Sequence, residues 1–156
     1  MTNFQLYRGY GTHLPILVEA FFRTDGSVLE HGAGLFSTGV LSLLCRLAER
    51  PLTTVEANWD WVGSLDHPGR ILESVECIDG DEQFGLVLID GGKDDRLVAI
   101  NALRSRTDVF VIHDWESRSG YKYPVDWKYI RVCEMLLPTT AICSDTQDVR
   151  QPFRSK

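Results

Sequence analysis

Short apolar runs alternate with amphipathic stretches along the chain, and this pattern predicts strands that alternate with helices. The clearest run, Phe84 to Ile89, is continuously apolar and rich in β-prone residues, which is typical of a strand covered on both faces. Other apolar runs predict strands at about 27–31, 53–56, 70–75, 109–112 and 139–143. A further short strand is expected in the tail from 147.

The amphipathic stretches between these runs predict the helices. Thr12 is expected to cap the first helix, which carries Pro15 in its first turn. Later helices are predicted at about 36–49, 59–65, 94–104 and 125–136. We therefore expect an α/β fold: a three-layer, Rossmann-like, doubly wound and mostly parallel sheet of six to seven strands, with helices on both faces.

A glycine turn follows the first predicted strand and leads into a helix. Gly32 and Gly34 remove Cβ atoms where the chain must turn sharply and where a ligand is expected to approach the backbone. Ser37 or Thr38 then lies at the helix N-terminus. A strand, a glycine turn and a helix N-terminus usually cradle a nucleotide-like ligand. Glu30, at the end of the strand, would repel a pyrophosphate and accept a cation or a pair of hydroxyls.

Acidic residues follow four of the predicted strands. Because the carboxyl ends of parallel strands meet at one edge of a sheet, these side chains are expected to gather in one place. Isolated acids at strand ends are common because loops are polar, but four of them, each directly after a buried run, favour a functional site. The strand-end residues are Glu30, Glu56, Asp90 and the pair His113-Asp114.

Over about residues 12–143 the chain resembles the class I S-adenosylmethionine-dependent methyltransferases. Glu30-His-Gly-Ala-Gly is similar to their first motif, and Val-Glu-Ala-Asn, which contains Glu56, is similar to the run after their second strand. The segment 84–91 resembles their fourth-strand motif. The segment 109–115 resembles the fifth-strand motif of the small-molecule O-methyltransferases.

The resemblance implies S-adenosyl-L-methionine as the cofactor and methyl transfer as the reaction. Glu56 would bind the ribose diol, because its two carboxylate oxygens can accept both hydroxyl protons. Asp90 would lie near the methionine end of the cofactor, and Asp79 lies either beside the adenine or in an unrelated loop. The implied cofactor-binding residues are Glu30, Gly32, Ala33, Gly34, Glu56, Ala57, Asp79 and Asp90.

Three hypotheses stand for His113 and Asp114, which together with Asp90 are the candidate catalytic residues. In the first, His113 is the general base for a hydroxyl acceptor, since the ordinary pKa of histidine lies near neutrality. In the second, Asp90, His113 and Asp114 hold a divalent metal, as in the metal-dependent O-methyltransferases that the sequence resembles, although histidine is a softer ligand than Mg²⁺ prefers. In the third, His113 bonds only to backbone and Asp114 caps the next loop.

Length and charge bound the remaining expectations. The chain of 156 residues predicts a single domain, 1–156, with an N-terminal arm at 1–11. A net charge of −6 argues against nucleic acid or an anionic membrane as the partner. No apolar run approaches the ~20 residues of a membrane span, no signal-peptide core is present, and the four cysteines lack C-x-x-C spacing, so a cytoplasmic protein with reduced thiols is expected.

The acceptor is expected to be a small molecule or a glycan, methylated at oxygen. The arm at 1–13 and the aromatic loop at 115–124 are the segments that would surround it, and a second copy of so short a chain would complete an open site as a homo-oligomer. Two other functions stay open: a non-catalytic cofactor-binding subunit and an enzyme that cleaves S-adenosylmethionine.

Overall fold

A mixed sheet of seven strands forms the centre of the fold in a computed structural model that describes residues 11–65, 67 and 69–151. In chain order the strands are β1 Ser27–His31, β2 Leu52–Val55, β3 Arg70–Leu72, β4 Phe84–Ile89, β5 Thr107–His113, β6 Tyr129–Cys133 and β7 Thr140–Ser144. In space they lie in the order β3-β2-β1-β4-β5-β7-β6. Strands β1 to β5 are parallel, whereas β7 runs antiparallel to its neighbours β5 and β6. The predicted α/β class is confirmed, and the sheet is mixed because of β7.

Helices and short 3₁₀ turns connect the strands. The α-helices are α1 Leu14–Phe21, α2 Ser37–Leu47, α3 Trp59–Val62, α4 Arg96–Leu103 and α5 Arg118–Tyr121. The 3₁₀ turns are Val75–Cys77, Arg104–Arg106 and Trp115–Ser117. In the described part of the chain, none of the helices has the length and apolar character needed to cross a membrane.

Two apolar clusters cover the two faces of the sheet. Successive strand residues point to opposite faces, so in β4 Leu86 and Leu88 join one cluster whereas Val87 and Ile89 join the other. Helices α1 and α2 contribute to the first cluster and α4 to the second, which places helices on both faces as the alternating pattern predicted. The largest fully buried helix side chains are Leu17 and Leu41 on the first face, and Ile100 and Leu103 on the second.

The strand order reverses beside β1, which lies between β2 and β4. The chain adds β2 and β3 on one side of β1, then crosses to add β4 and β5 on the other side. In open parallel sheets such a reversal leaves a crevice beyond the carboxyl ends of the strands, and ligands bind there. The loops that follow β1, β2 and β4 are thereby brought side by side.

The helix predicted at about 125–136 is wrong, because this segment forms β6. Ile130 and Val132 pack against one core cluster, while Tyr129 and Cys133 pack against the other. This alternation is a period of two, as a strand requires, and antiparallel pairing with β7 buries the segment only partly. Apolar residues occupy both faces of β6, so the sequence does not show the alternation of apolar and polar positions that usually reveals a strand.

The ends of the chain differ from the expectation in two respects. No strand forms over 147–151, and the remainder of the predicted seventh strand lies outside the described residues. The predicted arm at 1–11 lies outside the described residues apart from Gly11.

Thr12 does not cap α1. His13 occupies the N-cap position, no side chain caps this helix end, and Pro15 lies in its first turn as predicted. The Thr12 hydroxyl instead donates to the carbonyl of Pro138 at 2.8 Å and lies 2.9 Å from Nε2 of His113. The segment before α1 is therefore attached to the carboxyl end of β5.

The four cysteines are free thiols, as predicted. Cys45 and Cys143 are buried, and burial raises the pKa of both thiols, that of Cys45 to about 11. Cys77 is exposed. Since neither buried thiol is ionised near neutral pH, both act as small apolar core residues.

Candidate functional site

The glycine turn after β1 packs against the loop after β4. Gly32 has a φ of +93°, and a Cβ atom there would lie 2.3 Å from Cα of Gly91. A Cβ atom on Gly91 would in turn lie 2.5 Å from the ring of His31. Both glycines are required by the close approach of two loops of the chain, in addition to any ligand. Gly34 is less confined, since its Cβ would meet only Oγ of Ser37 at 3.0 Å.

Glu30 lies beneath the glycine turn and is fully buried. Its carboxylate accepts hydrogen bonds from the hydroxyls of Thr38 and Thr54, at 3.0 Å each. The Thr38 hydroxyl also accepts the backbone N–H of Gly34 at 2.9 Å, so Glu30 fixes the turn through Thr38. Burial raises the pKa of Glu30 to about 7, and hydrogen bonds from Ser37, Thr38 and Thr54 oppose this effect. Glu30 is therefore a support of the turn rather than part of its exposed surface.

Glu56 follows β2 and faces the glycine turn. Its Oε2 accepts the backbone N–H of Ala33 at 3.2 Å, and its Oε1 accepts the backbone N–H of Asn58 at 2.8 Å. Each carboxylate oxygen can accept a second hydrogen bond. Trp61 donates from Nε1 to the carbonyl of Ala33 at 2.7 Å, which holds the turn on its other side. Glu56 is thus fixed in orientation and retains capacity for a ligand.

A cleft of about 400 Å³ opens at the carboxyl ends of these strands. This volume lies within the range of about 300–1,000 Å³ that is usual for small-molecule sites. Of the predicted cofactor-binding residues, Gly32, Glu56 and Ala57 line it, together with the turn after β3 and the loop after β4. The other lining residues include His31, Ser74, Val75, Glu76, Gly91, Gly92 and Asp95.

Asp79 lies away from this cleft. Its side chain is 75 % exposed and pairs with Arg70 at 3.7 Å, and its carbonyl accepts a hydrogen bond from Arg106, which precedes β5. The structure therefore places Asp79 toward the amino ends of the strands, opposite the cleft. Of the two alternatives for Asp79, this position agrees with the unrelated loop, and Val75 and Glu76 of the turn after β3 line the cleft instead.

A second group of polar side chains surrounds Asp90, directly before Gly91. His113 Nδ1 lies 2.9 Å from Oδ1 of Asp90, and Arg96 Nη2 lies 3.2 Å from the same oxygen. His13 Nδ1 lies 3.8 Å from Oδ2 of Asp90. Arg96 also donates to the carbonyls of Gly91 at 2.7 Å and of His113 at 3.1 Å. The structure thus joins Asp90 and His113, as predicted, and adds two residues from α1 and α4.

Both ring nitrogens of His113 lie within hydrogen-bond distance of polar side chains. The single hydroxyl proton of Thr12 goes to the carbonyl of Pro138, so the 2.9 Å contact to Nε2 of His113 requires a proton on that nitrogen. Oδ1 of Asp90 is the hydrogen-bond partner of Nδ1. Burial lowers the pKa of His113, but the hydrogen bond and charge of Asp90 outweigh it, and the pKa is raised. A histidine whose two ring nitrogens are both engaged by polar partners is a poor general base, so this geometry weighs against the first hypothesis.

Asp114 is directed to Arg96 rather than to the predicted metal group. Its backbone is left-handed, with φ of 55°, and its Oδ2 lies 3.0 Å from Nη2 of Arg96. Its other oxygen lies 3.9 Å from Nδ1 of His113. The group that could bind a metal consists of His13, Asp90 and His113, so His13 takes the place that the sequence reasoning gave to Asp114.

His13 and Arg96 were missed as members of this group. Arg96 is 5 % exposed, and its pKa stays raised despite burial because Tyr123, Asp90 and Asp114 surround it. His13 is 1 % exposed, and burial lowers its pKa to about 4, against the charge of Asp90, so it is neutral near pH 7. An arginine six residues after a strand-end aspartate was the available signal for Arg96. His13 had none, since it lies 100 residues from its partner His113 in sequence.

The aromatic loop after β5 is packed rather than open. Trp115 and Tyr123 are 4 % and 5 % exposed, and their rings stack with centroids 5.7 Å apart. Tyr121 stacks on Tyr123 at 5.2 Å and lies 4.6 Å from the guanidinium of Arg96. These rings support Arg96 and the end of β5. The loop therefore forms part of the core, and Trp115 also lines a groove on the surface.

In comparisons with known proteins, no family model matches the chain and no curated protein is significantly similar to it. The functional interpretation accordingly depends on the geometry of the cleft and of the polar group around Asp90.

Proposed function

We propose that the cleft binds S-adenosyl-L-methionine and that the protein transfers a methyl group to a hydroxyl of a small molecule or glycan. The observation that carries this proposal is the position of Glu56. Its carboxylate lies at the end of β2, lines the cleft and is oriented by the backbone of Ala33 and Asn58. A fixed carboxylate with unused lone pairs suits two adjacent hydroxyls, as a ribose presents them.

The sheet supports this proposal. Strands β3-β2-β1-β4-β5 are parallel and have the order of a doubly wound nucleotide-binding sheet, with the cleft at the point where the order reverses. We interpret the fold as Rossmann-like over these five strands, extended by β7 and β6 at one edge. In this interpretation the cleft is the nucleoside site.

The cleft offers a separate surface to each part of the cofactor. Glu56 would hold the ribose, Val75 and the turn after β3 would contact the base, and the loops of Gly32 and Gly91 would face the amino-acid part. When bound, the sulfonium cofactor supplies the electrophilic methyl group. Acidic side chains around the cleft favour the positive charge of the cofactor. The same side chains would repel a pyrophosphate.

The chain would contribute mainly by positioning. Methyl transfer needs the acceptor oxygen in line with the methyl group, and such alignment alone is a large part of catalysis. Asp90 is the best placed of the three candidate catalytic residues, because it directly precedes Gly91 at the cleft. Arg96 and His113 fix the Asp90 carboxylate, and Asp114 in turn pairs with Arg96.

A groove beside β5 is the proposed acceptor region. It measures about 550 Å³ and combines the polar side chains of Glu116 and Thr139 with apolar walls that include Trp115, Val125 and Leu137. Glu116 is held by Thr139, with hydrogen bonds of 2.7 Å from the backbone N–H and 2.6 Å from the hydroxyl. A groove of this mixed character suits a small acceptor with both hydroxyls and a ring.

A non-catalytic cofactor-binding subunit is the second candidate function. The observation that favours it is the state of the three candidate catalytic side chains, since His113 is doubly hydrogen-bonded and both aspartates are paired with Arg96. If none of these three side chains accepts a proton from the acceptor, the protein would bind the cofactor without rapid methyl transfer.

Product analysis separates these functions. The purified chain is incubated with S-adenosylmethionine and a panel of phenols, sugars and hydroxy acids, and the nucleoside products are identified by mass spectrometry. We expect S-adenosylhomocysteine that depends on one class of acceptor and falls at least about tenfold in Asp90→Asn. Methylthioadenosine or adenine instead would indicate cleavage of the cofactor. Binding without any product would support the non-catalytic subunit.

A further inference from the structure

His13 is a buried polar side chain that has no hydrogen-bond partner within residues 11–65, 67 and 69–151. It is 1 % exposed, and neither Nδ1 nor Nε2 has a partner among the residues that the structure describes. Both nitrogens of an imidazole are ordinarily satisfied when buried, because an unmet donor or acceptor costs about 1–3 kcal/mol. The ring of His13 contacts that of His113 edge-on, with centroids 4.7 Å apart. A ligand bound between these rings would satisfy the nitrogens of His13.

The neighbouring side chains have the composition of a metal site. Ligand atoms of His13, Asp90 and His113 all lie within 4.8 Å of one another. The three residues come from the start of α1 and from the ends of β4 and β5, so packed secondary structure fixes their spacing. Two imidazoles and one carboxylate are a common ligand set for zinc and related metals.

Thr12 provides the outer contact that a metal-bound histidine requires. Its hydroxyl donates to the Pro138 carbonyl and therefore accepts a hydrogen bond from Nε2 of His113. The other ring nitrogen, Nδ1, is directed at Asp90. Metal-ligating histidines usually donate their second ring nitrogen to such an acceptor, which fixes the ring orientation. A metal ion would replace the Nδ1 proton, which passes to solvent.

We propose that His13, Asp90 and His113 bind one Zn²⁺ or a similar late transition-metal ion at the carboxyl ends of β4 and β5. The metal class differs from that of a magnesium site, because two imidazoles are poor ligands for Mg²⁺, which prefers carboxylates and water. Three protein ligands leave at least one coordination position for water or an acceptor oxygen, as in catalytic zinc sites. The site adjoins the proposed cofactor cleft at the loop after β4 but shares none of the residues that line it.

Arg96 is the side chain that competes most directly with a metal ion. It lies 3.2 Å from Oδ1 of Asp90, while His13 faces Oδ2 of the same carboxylate. Asp114 pairs with Arg96 at 3.0 Å and offsets its charge. Because Arg96 pairs with both Asp114 and Oδ1 of Asp90, Oδ2 of Asp90, which faces His13, is available to a cation.

Titration with Zn²⁺ and with Co²⁺ tests the site in the full chain. A Cys77→Ser background removes the one exposed thiol among the described residues, which is another place where zinc would bind. We expect one equivalent of Zn²⁺ by calorimetry, a higher Tm with Zn²⁺, and the visible absorption of low-coordinate Co²⁺. Binding should fall at least about 100-fold in His13→Phe and in His113→Ala, since each removes one of three ligands.

His13→Phe keeps the test valid if other variants unfold. It replaces an unsatisfied buried ring by an apolar ring of similar shape, so the metal-free variant should be as stable as the unsubstituted chain or more so. His67→Asn is the matched control, because His67 lies outside the group and bonds to Thr54. It should leave the metal affinity unchanged.

Two results would overturn the proposal. The first is weak Zn²⁺ binding without Co²⁺ absorption, and the second is binding that His13→Phe leaves intact. Either result would make the group a charge network centred on Arg96. Calorimetry with S-adenosylhomocysteine on the same samples keeps the two proposals apart, because the cofactor cleft does not include His13.

Discussion

At the scale of single residues, Glu30 combines two roles that oppose each other. It is fully buried, yet it fixes the glycine turn through Thr38. Burial raises its pKa to about 7, so ionisation of this carboxyl in the folded chain is unfavourable near neutral pH. The turn is therefore held at a cost in stability that depends on pH.

Glu30→Gln should remove this dependence. The folded-state pKa of about 7 lies above the ordinary glutamate value of 4.5, so the stability contributed by protonated Glu30 is complete below pH 4.5 and is lost as the pH rises through 7. The loss amounts to about 3 kcal/mol. Urea denaturation across this range should show the variant gaining stability relative to the unsubstituted chain as the pH rises. A difference between the two that stays constant with pH would contradict the assignment.

Gly32→Ala should destabilise the fold by at least about 3 kcal/mol. The new Cβ would lie 2.3 Å from backbone of Gly91 at a φ of +93°, and neither loop can move away without disturbing the strand ends. Gly39→Ala is the matched control. Nothing lies within 4 Å of its Cβ position in α2, so it should stabilise by about 0.5–1 kcal/mol. Equal thermal shifts for the two variants would show that the loops do not pack as described.

At the scale of elements, Arg50 joins α1 to the start of β1. It follows α2, donates to the carbonyls of Phe21 and Thr24 at 2.9 Å each and to that of Gly26 at 2.6 Å, and its guanidinium lies 4.3 Å from the ring centre of Phe21. These contacts satisfy carbonyls at the end of α1, where a helix leaves them unpaired. One planar side chain thus connects the end of α1 to the start of β1.

Arg50→Lys should lower the free energy of unfolding by about 1–3 kcal/mol, although it preserves the charge. A lysine has one donor group and cannot reach three carbonyls in a plane. Arg46→Lys, one turn earlier and exposed, should change stability by less than about 0.5 kcal/mol. If both variants unfold at the same urea concentration, the Arg50 contacts contribute nothing.

The elements also show what the sequence could predict. β1 and β4 were located at their observed bounds because each is a continuous buried run that ends at a glycine or an acid. β6 was predicted as a helix, because apolar residues occupy both faces of this edge strand and the sequence therefore lacks the alternation of apolar and polar positions that marks a strand. The cleft residues Gly32 and Glu56 could be predicted, because each directly follows a strand.

At the scale of the whole molecule, contacts between distant segments build the polar group around Asp90. Thr12 contacts His113 across 101 positions, and His13 accompanies it at the start of α1. No local pattern marks such a contact, which is why the predicted metal group contained Asp114 in place of His13. The two proposed sites meet at the loop after β4, where Asp90 belongs to one and Gly91 to the other.

The central claim concerns the cofactor cleft, and calorimetric titration with S-adenosylmethionine and S-adenosylhomocysteine tests it most directly. We predict micromolar binding that Glu56→Ala weakens at least about tenfold, because hydrogen bonds to a charged group contribute about 1.5–3 kcal/mol each. Asp81→Ala, which removes an exposed carboxylate that lines neither the cleft nor the acceptor groove, should bind like the unsubstituted chain. Failure of both ligands to bind, or an equal affinity in Glu56→Ala, would contradict the account.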